Sequence, residues 1–233
     1  MSLAEFFERR PKIFKNRDAL SANYIPERLP HREREMREIA LHLSYALDNS
    51  TPPHLLILGP KGSGKTASML RVLEELRRRA PRSVAVAYTV ASGTAYQVLT
   101  ALARAMGCEV PERGLGFREV WSRLDSFLGD CIAIVVLDEI DKLLIRGSGG
   151  RHVSGEELLY FLSRRPRTCV VGISNRVTVM EMVGDPRVRS SFNPRRLVFP
   201  QYNARQLSDI PVSYTHLRAH ETEADLVCRL LLE

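Results

Sequence analysis

The most specific chemical signal in the sequence is a run of eight residues that matches the phosphate-binding pattern G-x-x-x-x-G-K-[ST]. In this pattern the lysine reaches the β and γ phosphates of a nucleotide, and the hydroxyl after it ligates Mg²⁺. Lys65 and Thr66 are therefore predicted to take these two roles. The predicted nucleotide-binding residues are Gly59, Pro60, Lys61, Gly62, Ser63, Gly64, Lys65 and Thr66.

The residues on either side of this run have the local structure that a phosphate site needs. Residues 54–58 form a short apolar run typical of a buried strand, and residues 66–79 carry apolar side chains at helical spacing. A loop that leads from a strand into a helix points backbone N–H groups and the positive end of the helix dipole at an anion. The flanks thus favour a phosphate loop over a chance match.

A pair of carboxylates supplies the second part of the predicted site. Asp138 and Glu139 follow the apolar run 132–137, which is typical of a central parallel strand. Ligands of a parallel sheet bind at the carboxyl ends of its strands, so both side chains would face the phosphate loop. Asp138 is predicted to hold Mg²⁺ through its water shell, and Glu139 to orient and polarise the attacking water. A solvated strand end is the alternative.

Two later stretches hold polar side chains that would respond to a nucleotide. Asn175 follows the apolar strand 168–174 and is predicted to contact the γ-phosphate and the water. An ordinary turn asparagine is the alternative. The stretch 185–191 holds two arginines, and one of them could act on a neighbouring subunit as an arginine finger. The residues alone favour the other interpretation, a surface turn with solvated arginines.

An α/β fold would position these side chains. Runs typical of strands alternate with segments of helical spacing, which predicts a five-stranded parallel sheet between helices. Residues 1–31 are expected to be irregular, because their prolines exclude a long helix. The predicted strands are 54–58, 83–89, 132–137, 168–174 and 196–199, and the predicted helices are 32–47, 66–79, 95–106, 117–128 and 156–164.

Composition narrows the class of partners. The formal charge of +7 favours polyanionic partners, although many proteins without such partners are equally basic. No apolar run approaches the ~18 residues of a membrane span, and the N-terminus lacks the apolar centre of a secretory signal. The four cysteines form no C-x-x-C pair and are interpreted as free thiols in a reducing compartment. We expect a cytoplasmic protein with no membrane partner.

These motifs, in this order, resemble the AAA+ ATPases among the P-loop NTPases. The segments 14–16, 20–21 and 24–33 look like the lead-in of the archaeal replication initiators, a family related to both the largest origin-recognition subunit and the cell-division-cycle loader. The resemblance covers about residues 13–210, and only the connection 163–168 is shorter than is usual. It implies that Arg187, ahead of Arg189, is the arginine finger. It also implies an adenine pocket formed by Tyr24, Ile25, Pro26 and Arg32.

The resemblance implies a protein that binds and slowly hydrolyses ATP, with ATP or ADP and Mg²⁺ as cofactors and ATP as a conformational switch. It implies binding of double-stranded origin DNA through a C-terminal winged helix and through a helical insertion after Ala95. The loop 107–116 would be the DNA-facing part of this insertion, and Arg113 and Arg118, which flank its tip, would contact phosphates or be solvated. Self-association and a replicative helicase both stay open as partners, and the protein would be nucleoid-associated.

Two other functions stay open at this point. One is an AAA+ ATPase of another class, either clamp-loader-like or a transposition ATPase, which would keep the nucleotide site without the lead-in. The other is a scaffold that retains the fold without the activity. The presence of Lys65, Thr66, Asp138 and Glu139 argues against the scaffold.

The end of the chain departs from the family pattern. Pro211 is expected to end a lid helix capped by Asn203, and residues 212–222 resemble a reading frame of the transposon-end adapter used in sequencing-library preparation. Without the two arginines and four carboxylates of 211–233, the formal charge rises from +7 to +9. A fragment without its lid is expected to bind ATP weakly and to hydrolyse little. The predicted division is a lead-in and adenine-pocket segment at 1–31, an AAA+ base at 32–202, the start of the lid at 203–210 and a non-native tail at 211–233.

Overall fold

The computed structural model describes residues 29–111, 114–145 and 153–215, with side chains as far as residue 210. The chain divides into two compact units. The first unit lies within Arg32–Gln201, and the described residues of the second are 29–31 and 202–215. All the described residues of the predicted site belong to the first unit.

The first unit alternates strands and helices along the chain. None of the helices in the described ranges is long and apolar enough to cross a membrane. In chain order the elements are α1 (Glu33–Ser44), β1 (Leu55–Leu58), α2 (Lys65–Arg79), β2 (Val84–Val90), α3 (Ala95–Ala105), α4 (Phe117–Leu128), β3 (Ile132–Asp138), α5 (Ile140–Ile145), α6 (Gly155–Arg164), β4 (Thr168–Ser174), a 3₁₀ turn (Val179–Met182), α7 (Pro186–Ser191) and β5 (Arg195–Val198).

The strands form one five-stranded sheet in the order β2-β3-β4-β1-β5, and every neighbouring pair is parallel. A parallel pair needs a crossover connection, and the intervening helices supply it. The predicted fold, a five-stranded parallel sheet between helices, is confirmed. Strand β1, which leads into the phosphate loop, lies between β4 and β5.

Alternation along the central strands explains why both faces of the sheet are covered. Successive strand side chains point to opposite faces, so a continuous apolar run buries both. Helices α1 and α2 cover the face formed by Leu55, Ile57, Ile134, Val136, Val171 and Ile173. The core on the other face joins Leu56, Leu58, Ala133, Val135, Leu137 and Val170 to helices α3 to α7. A residue two positions after the last of these side chains on its strand therefore lies on the same face of the sheet, the face that α2 covers.

The helix predicted to begin the lid is longer in the structure than expected. Pro211 was expected to end it, but α8 spans Ala204–Thr215 and continues through that proline. A proline inside a helix removes one backbone hydrogen bond and bends the axis, and this does not always end the helix. The predicted start of the helix at an Asn203 cap agrees with the structure. The Asn203 side chain accepts a hydrogen bond from the Gln206 N–H at 2.9 Å and so caps the first turn.

A half-buried histidine just before β1 makes the stability of the fold depend on pH. His54 precedes β1, and its Nδ1 accepts the Val170 N–H at 3.1 Å, which only a neutral ring can do. Burial lowers the pKa of His54, and burial also lowers the pKa of His42. The unfolded chain therefore binds these protons first, and the stability is lost as pH falls through the ordinary histidine value near 6.5.

We expect the free energy of unfolding to fall between pH 7.5 and pH 5, by at most about 1.4 kcal/mol per pH unit for each histidine. Urea titrations at several pH values measure this slope. His54→Asn keeps an acceptor near the Nδ1 position and does not titrate, so it should flatten part of the slope and leave the share of His42. An unchanged slope in His54→Asn would contradict the assignment.

Candidate nucleotide site

The phosphate loop joins β1 to α2 and needs glycine at two places for different reasons. A Cβ atom at Gly59 would lie 2.5 Å from the carbonyl oxygen of Phe199, so the close approach of the segment after β5 excludes any side chain there. Gly64 precedes α2 with a left-handed φ of 87°, which glycine adopts without strain. It has no side chain to cap the helix, so the first N–H groups of α2 stay available to an anion.

Lys65 and Asn175 are 110 residues apart in the sequence and in direct contact in the fold. The Lys65 ammonium donates to Asn175 Oδ1 at 2.9 Å, and to the carbonyl oxygens of Gly59 and Pro60 at 2.8 Å each. Burial lowers the pKa of Lys65, while the charges of Asp138 and Asp141 raise it. A cation that is partly desolvated, held mainly by neutral oxygens and set in a loop of backbone donors is well placed to bind a phosphate.

Thr66 and Asp138 form the second contact of the site. Asp138 continues the series Ile134, Val136 along β3, so its side chain lies on the side of α2. The Thr66 hydroxyl donates to Asp138 Oδ2 at 2.7 Å, and the Glu139 N–H donates to Oδ1 at 2.8 Å. The register of a parallel sheet thus places the predicted metal carboxylate against the predicted metal hydroxyl.

This donor set fits Mg²⁺. The ion prefers hard oxygen ligands and is usually bound by one or two carboxylates together with substrate phosphates and water. Thr66 Oγ1 and the Asp138 carboxylate are such oxygens, and they lie beside a loop suited to phosphates. The assignment of these two residues to Mg²⁺ stays a prediction with a suitable geometry.

Glu139 lines the same cleft. It has a left-handed φ of 56°, which turns the chain sharply between β3 and α5, and its carboxylate accepts from the Lys142 ammonium at 2.5 Å. The cleft has a volume of ≈520 Å³. Its lining includes the predicted residues Lys61, Gly62, Gly64, Lys65, Thr66, Asp138, Glu139 and Asn175. Motifs spread over more than 110 residues therefore converge on one cavity.

A model of the family described as "AAA domain" matches residues 48–189, which include the phosphate loop, the two carboxylates and Asn175. The chain belongs to the AAA domain family. An ORC1-type DNA replication protein of Methanothermobacter thermautotrophicus is 48% identical over 204 residues, which are 88% of this chain and 52% of that relative. ORC1-type DNA replication protein 1 of Archaeoglobus fulgidus is 42% identical over 211 residues, covering 85% and 49%.

A solved structure extends the similarity to three dimensions. The Aeropyrum pernix ORC1 protein, determined in complex with DNA, matches this AAA domain with a TM-score of 0.80 and 38% identity. The match covers 91% of this chain and 56% of that one. The resemblance to the archaeal initiators is confirmed, and the chain spans about half the length of the curated relatives it matches.

Two residues of the AAA domain that sequence reasoning did not select, Ser174 and Asp141, join the end of β4 to helix α5. The Ser174 hydroxyl donates to Asp141 Oδ1 at 2.8 Å and accepts the Arg176 N–H at 2.9 Å. Asp141 is buried. Because these bonds flank Asn175 on the chain, they fix the turn that presents its amide to Lys65. A carboxylate three residues after Asp138 was a visible signal, but its partner was not.

The two candidate arginines lie on α7. Neither of them is among the described residues that line the nucleotide cleft. The Arg187 side chain is 73% exposed, donates to Asp185 at 2.7 Å and lies 5.4 Å from the centre of the Tyr160 ring. The Arg189 Nε donates to the Val183 carbonyl at 2.7 Å. Both arginines are exposed, and the action of Arg187 on a neighbouring subunit stays a prediction.

Arg32 is the described member of the predicted adenine pocket, while Tyr24, Ile25 and Pro26 lie outside the described residues. Arg32 is buried, and its guanidinium lies 5.5 Å from the centre of the Phe199 ring. It donates to the Ser63 carbonyl at 2.8 Å and to the Pro200 carbonyl at 2.5 Å. Arg32 thus stabilises the phosphate loop through the Ser63 carbonyl, a contact that its sequence position did not indicate.

The predicted DNA-facing loop is described only in part. Arg113 lies outside the described residues, and Arg118 is exposed at the start of α4. Exposure is compatible with a phosphate contact and with a solvated side chain, so both interpretations of Arg118 stay as the sequence left them.

Proposed function

We propose that this AAA domain binds ATP and ADP with Mg²⁺, hydrolyses ATP slowly, and serves as the nucleotide switch of a DNA replication initiator. The observation that carries the proposal is the convergence of Lys65, Asn175, Thr66 and Asp138 through contacts of 2.7–2.9 Å in one cleft. In this arrangement Lys65 and the loop bind the phosphates, Thr66 and Asp138 hold the metal, and Glu139 activates water. Bound Mg²⁺ would neutralise charge on the β and γ phosphates.

Double-stranded origin DNA is the proposed target of the whole protein. The names of the relatives, the DNA complex of the A. pernix protein and the formal charge of +7 support it. In this proposal residues 32–202 form the ATPase base and 203–210 begin the lid. Arg187 acts on a neighbouring subunit, which favours self-association over a replicative helicase as the first partner to test. The place of action would be the nucleoid in the cytoplasm.

Nucleotide binding by the chain tests the proposal directly. Lys65→Ala removes a charge-assisted contact worth about 1.5–3 kcal/mol, so we expect the affinity for a fluorescent ADP analogue to fall by at least tenfold. Arg34→Ala, at a side chain that is 88% exposed on α1, is the control and should bind as the unmodified chain does. Equal binding by Lys65→Ala and the unmodified chain would exclude a phosphate role for Lys65.

A further inference from the structure

Tyr88 reaches the centre of the nucleotide site from strand β2. In the register of β2 and β3, Tyr88 lies opposite Val136, and Val90 lies opposite Asp138. The phenol is therefore one diagonal step from the carboxylate on the same face of the sheet. Its hydroxyl donates to Asp138 Oδ2 at 2.9 Å, and Tyr88 lines the cleft beside Thr66.

The hydrogen bonds of Asp138 leave its carboxylate little freedom. A carboxylate offers about four acceptor positions. On Oδ2, Asp138 accepts from the hydroxyls of Tyr88 and Thr66, and on Oδ1 it accepts from the Glu139 N–H. Three of the positions are thus occupied by donors from β2, from α2 and from the turn after β3, and the remaining position lies on Oδ1.

We infer that Tyr88 is a positioning residue for the metal site, which orients Asp138 so that Oδ1 faces hydrated Mg²⁺. The inference rests on the proposed nucleotide function. Thr66 cannot fix the carboxylate alone, because its oxygen is itself a predicted ligand of the metal. The Tyr88 hydroxyl has no second task, since among the described side chains it donates to Asp138 only.

The Tyr88 hydroxyl contributes a hydrogen bond to the nucleotide site and is not needed to fill the hydrophobic core. The ring of Tyr88 packs beside the buried face that α2 covers, and phenylalanine would fill that space equally well. The hydroxyl adds a donor at the cleft, where a carboxylate with one bond fewer could rotate. Loss of the hydroxyl should therefore weaken the response to Mg²⁺ and leave the contacts between the loop and the phosphates unchanged.

Tyr88→Phe tests this inference through the metal dependence of binding. We expect the affinity for a fluorescent ADP analogue in EDTA to stay within about twofold of the unmodified chain. The Mg²⁺ concentration that gives half of the metal-dependent increase in affinity should rise by at least about tenfold, as for the loss of one hydrogen bond to a charged group. Tyr45→Phe, at an exposed tyrosine just after α1, is the matched control.

A double-mutant cycle separates positioning from a general structural effect. In an Asp138→Asn background, Tyr88→Phe should cause no further shift of the Mg²⁺ titration, since the group that it orients has changed. An unshifted titration in Tyr88→Phe alone, or an equal loss of affinity in EDTA, would overturn the inference while the proposed function stands. Absence of nucleotide binding by the unmodified chain would overturn both.

Discussion

Replacing Arg165 with alanine is expected to lower the free energy of unfolding by about 2–3 kcal/mol, because it removes a buried side chain that donates hydrogen bonds to five neighbouring groups. Arg165 follows α6, and its side chain is 4% exposed. Its Nε donates to Asp125 at 2.8 Å, and one terminal nitrogen donates to the Gly129 carbonyl at 2.6 Å. The other terminal nitrogen donates to the carbonyls of Cys131 and Pro166 and to the Thr168 hydroxyl.

The geometry decides which of these contacts matters most. Asp125 is 53% exposed, so its ion pair with Arg165 should contribute less than about 1 kcal/mol. The carbonyls and the Thr168 hydroxyl should carry the larger cost, because these acceptors lose donors in contacts that are buried or partly buried. Arg165 joins the end of α4 to the starts of β3 and β4. Its loss should therefore loosen the amino-terminal edge of the sheet, far from the nucleotide cleft.

Two substitutions divide the contributions. Asp125→Asn should cost less than about 1 kcal/mol, whereas Arg165→Lys keeps the charge but not the planar fork of donors and should fall between the other two. Urea unfolding followed by the fluorescence of Trp121 measures all three, since Trp121 is the single tryptophan and packs 5.3 Å from Phe161 of α6. A cost for Asp125→Asn as large as that for Arg165→Ala would assign the stability to the ion pair instead.

Arg165 also shows where sequence reasoning ended. The sequence identified the segment 163–168 only as a short connection, because the partners of Arg165 lie up to 40 residues away and no periodic pattern marks them. Tyr88 is a similar case, since its contact with Asp138 depends on the register of β2 against β3. The helix through Pro211 was missed for another reason, a local rule against proline that the fold did not obey.

The sheet and the grouping of the site residues were predictable on simple grounds. Apolar runs locate the strands, and helical spacing locates the helices between them. Because such crossovers make neighbouring strands parallel, the carboxyl ends of the strands share one edge of the sheet. Asp138 and Asn175 stand at such ends, and the phosphate loop opens at the same edge, so their position beside the loop could be predicted without knowledge of side-chain packing. Sequence patterns thus locate the site residues, whereas their supporting residues become visible only with the register.

Glu139→Gln is expected to lower the rate of ATP hydrolysis in a single turnover by at least a hundredfold, with nucleotide affinity unchanged within about twofold. Glutamine keeps the size of the side chain and removes the charge that would polarise the attacking water. Because this chain is expected to hydrolyse little ATP, the measurement uses an excess of protein over labelled ATP and Mg²⁺, so that one turnover suffices.

Lys142→Gln is a matched control, because it removes the ion-pair partner of the Glu139 carboxylate and leaves the carboxylate itself in place. The two side chains are 32% and 49% exposed, so the contact should be worth at most about 1 kcal/mol and should not hold Glu139 out of reach of the nucleotide. Lys142→Gln should therefore change the single-turnover rate by no more than about fivefold.

If Lys142→Gln reduced hydrolysis as much as Glu139→Gln, the pair rather than the glutamate would be the functional unit. If Glu139→Gln kept more than a tenth of the rate, another group would activate the water. A loss confined to Glu139→Gln, with binding preserved, would separate the chemistry at the end of β3 from the phosphate binding at the loop.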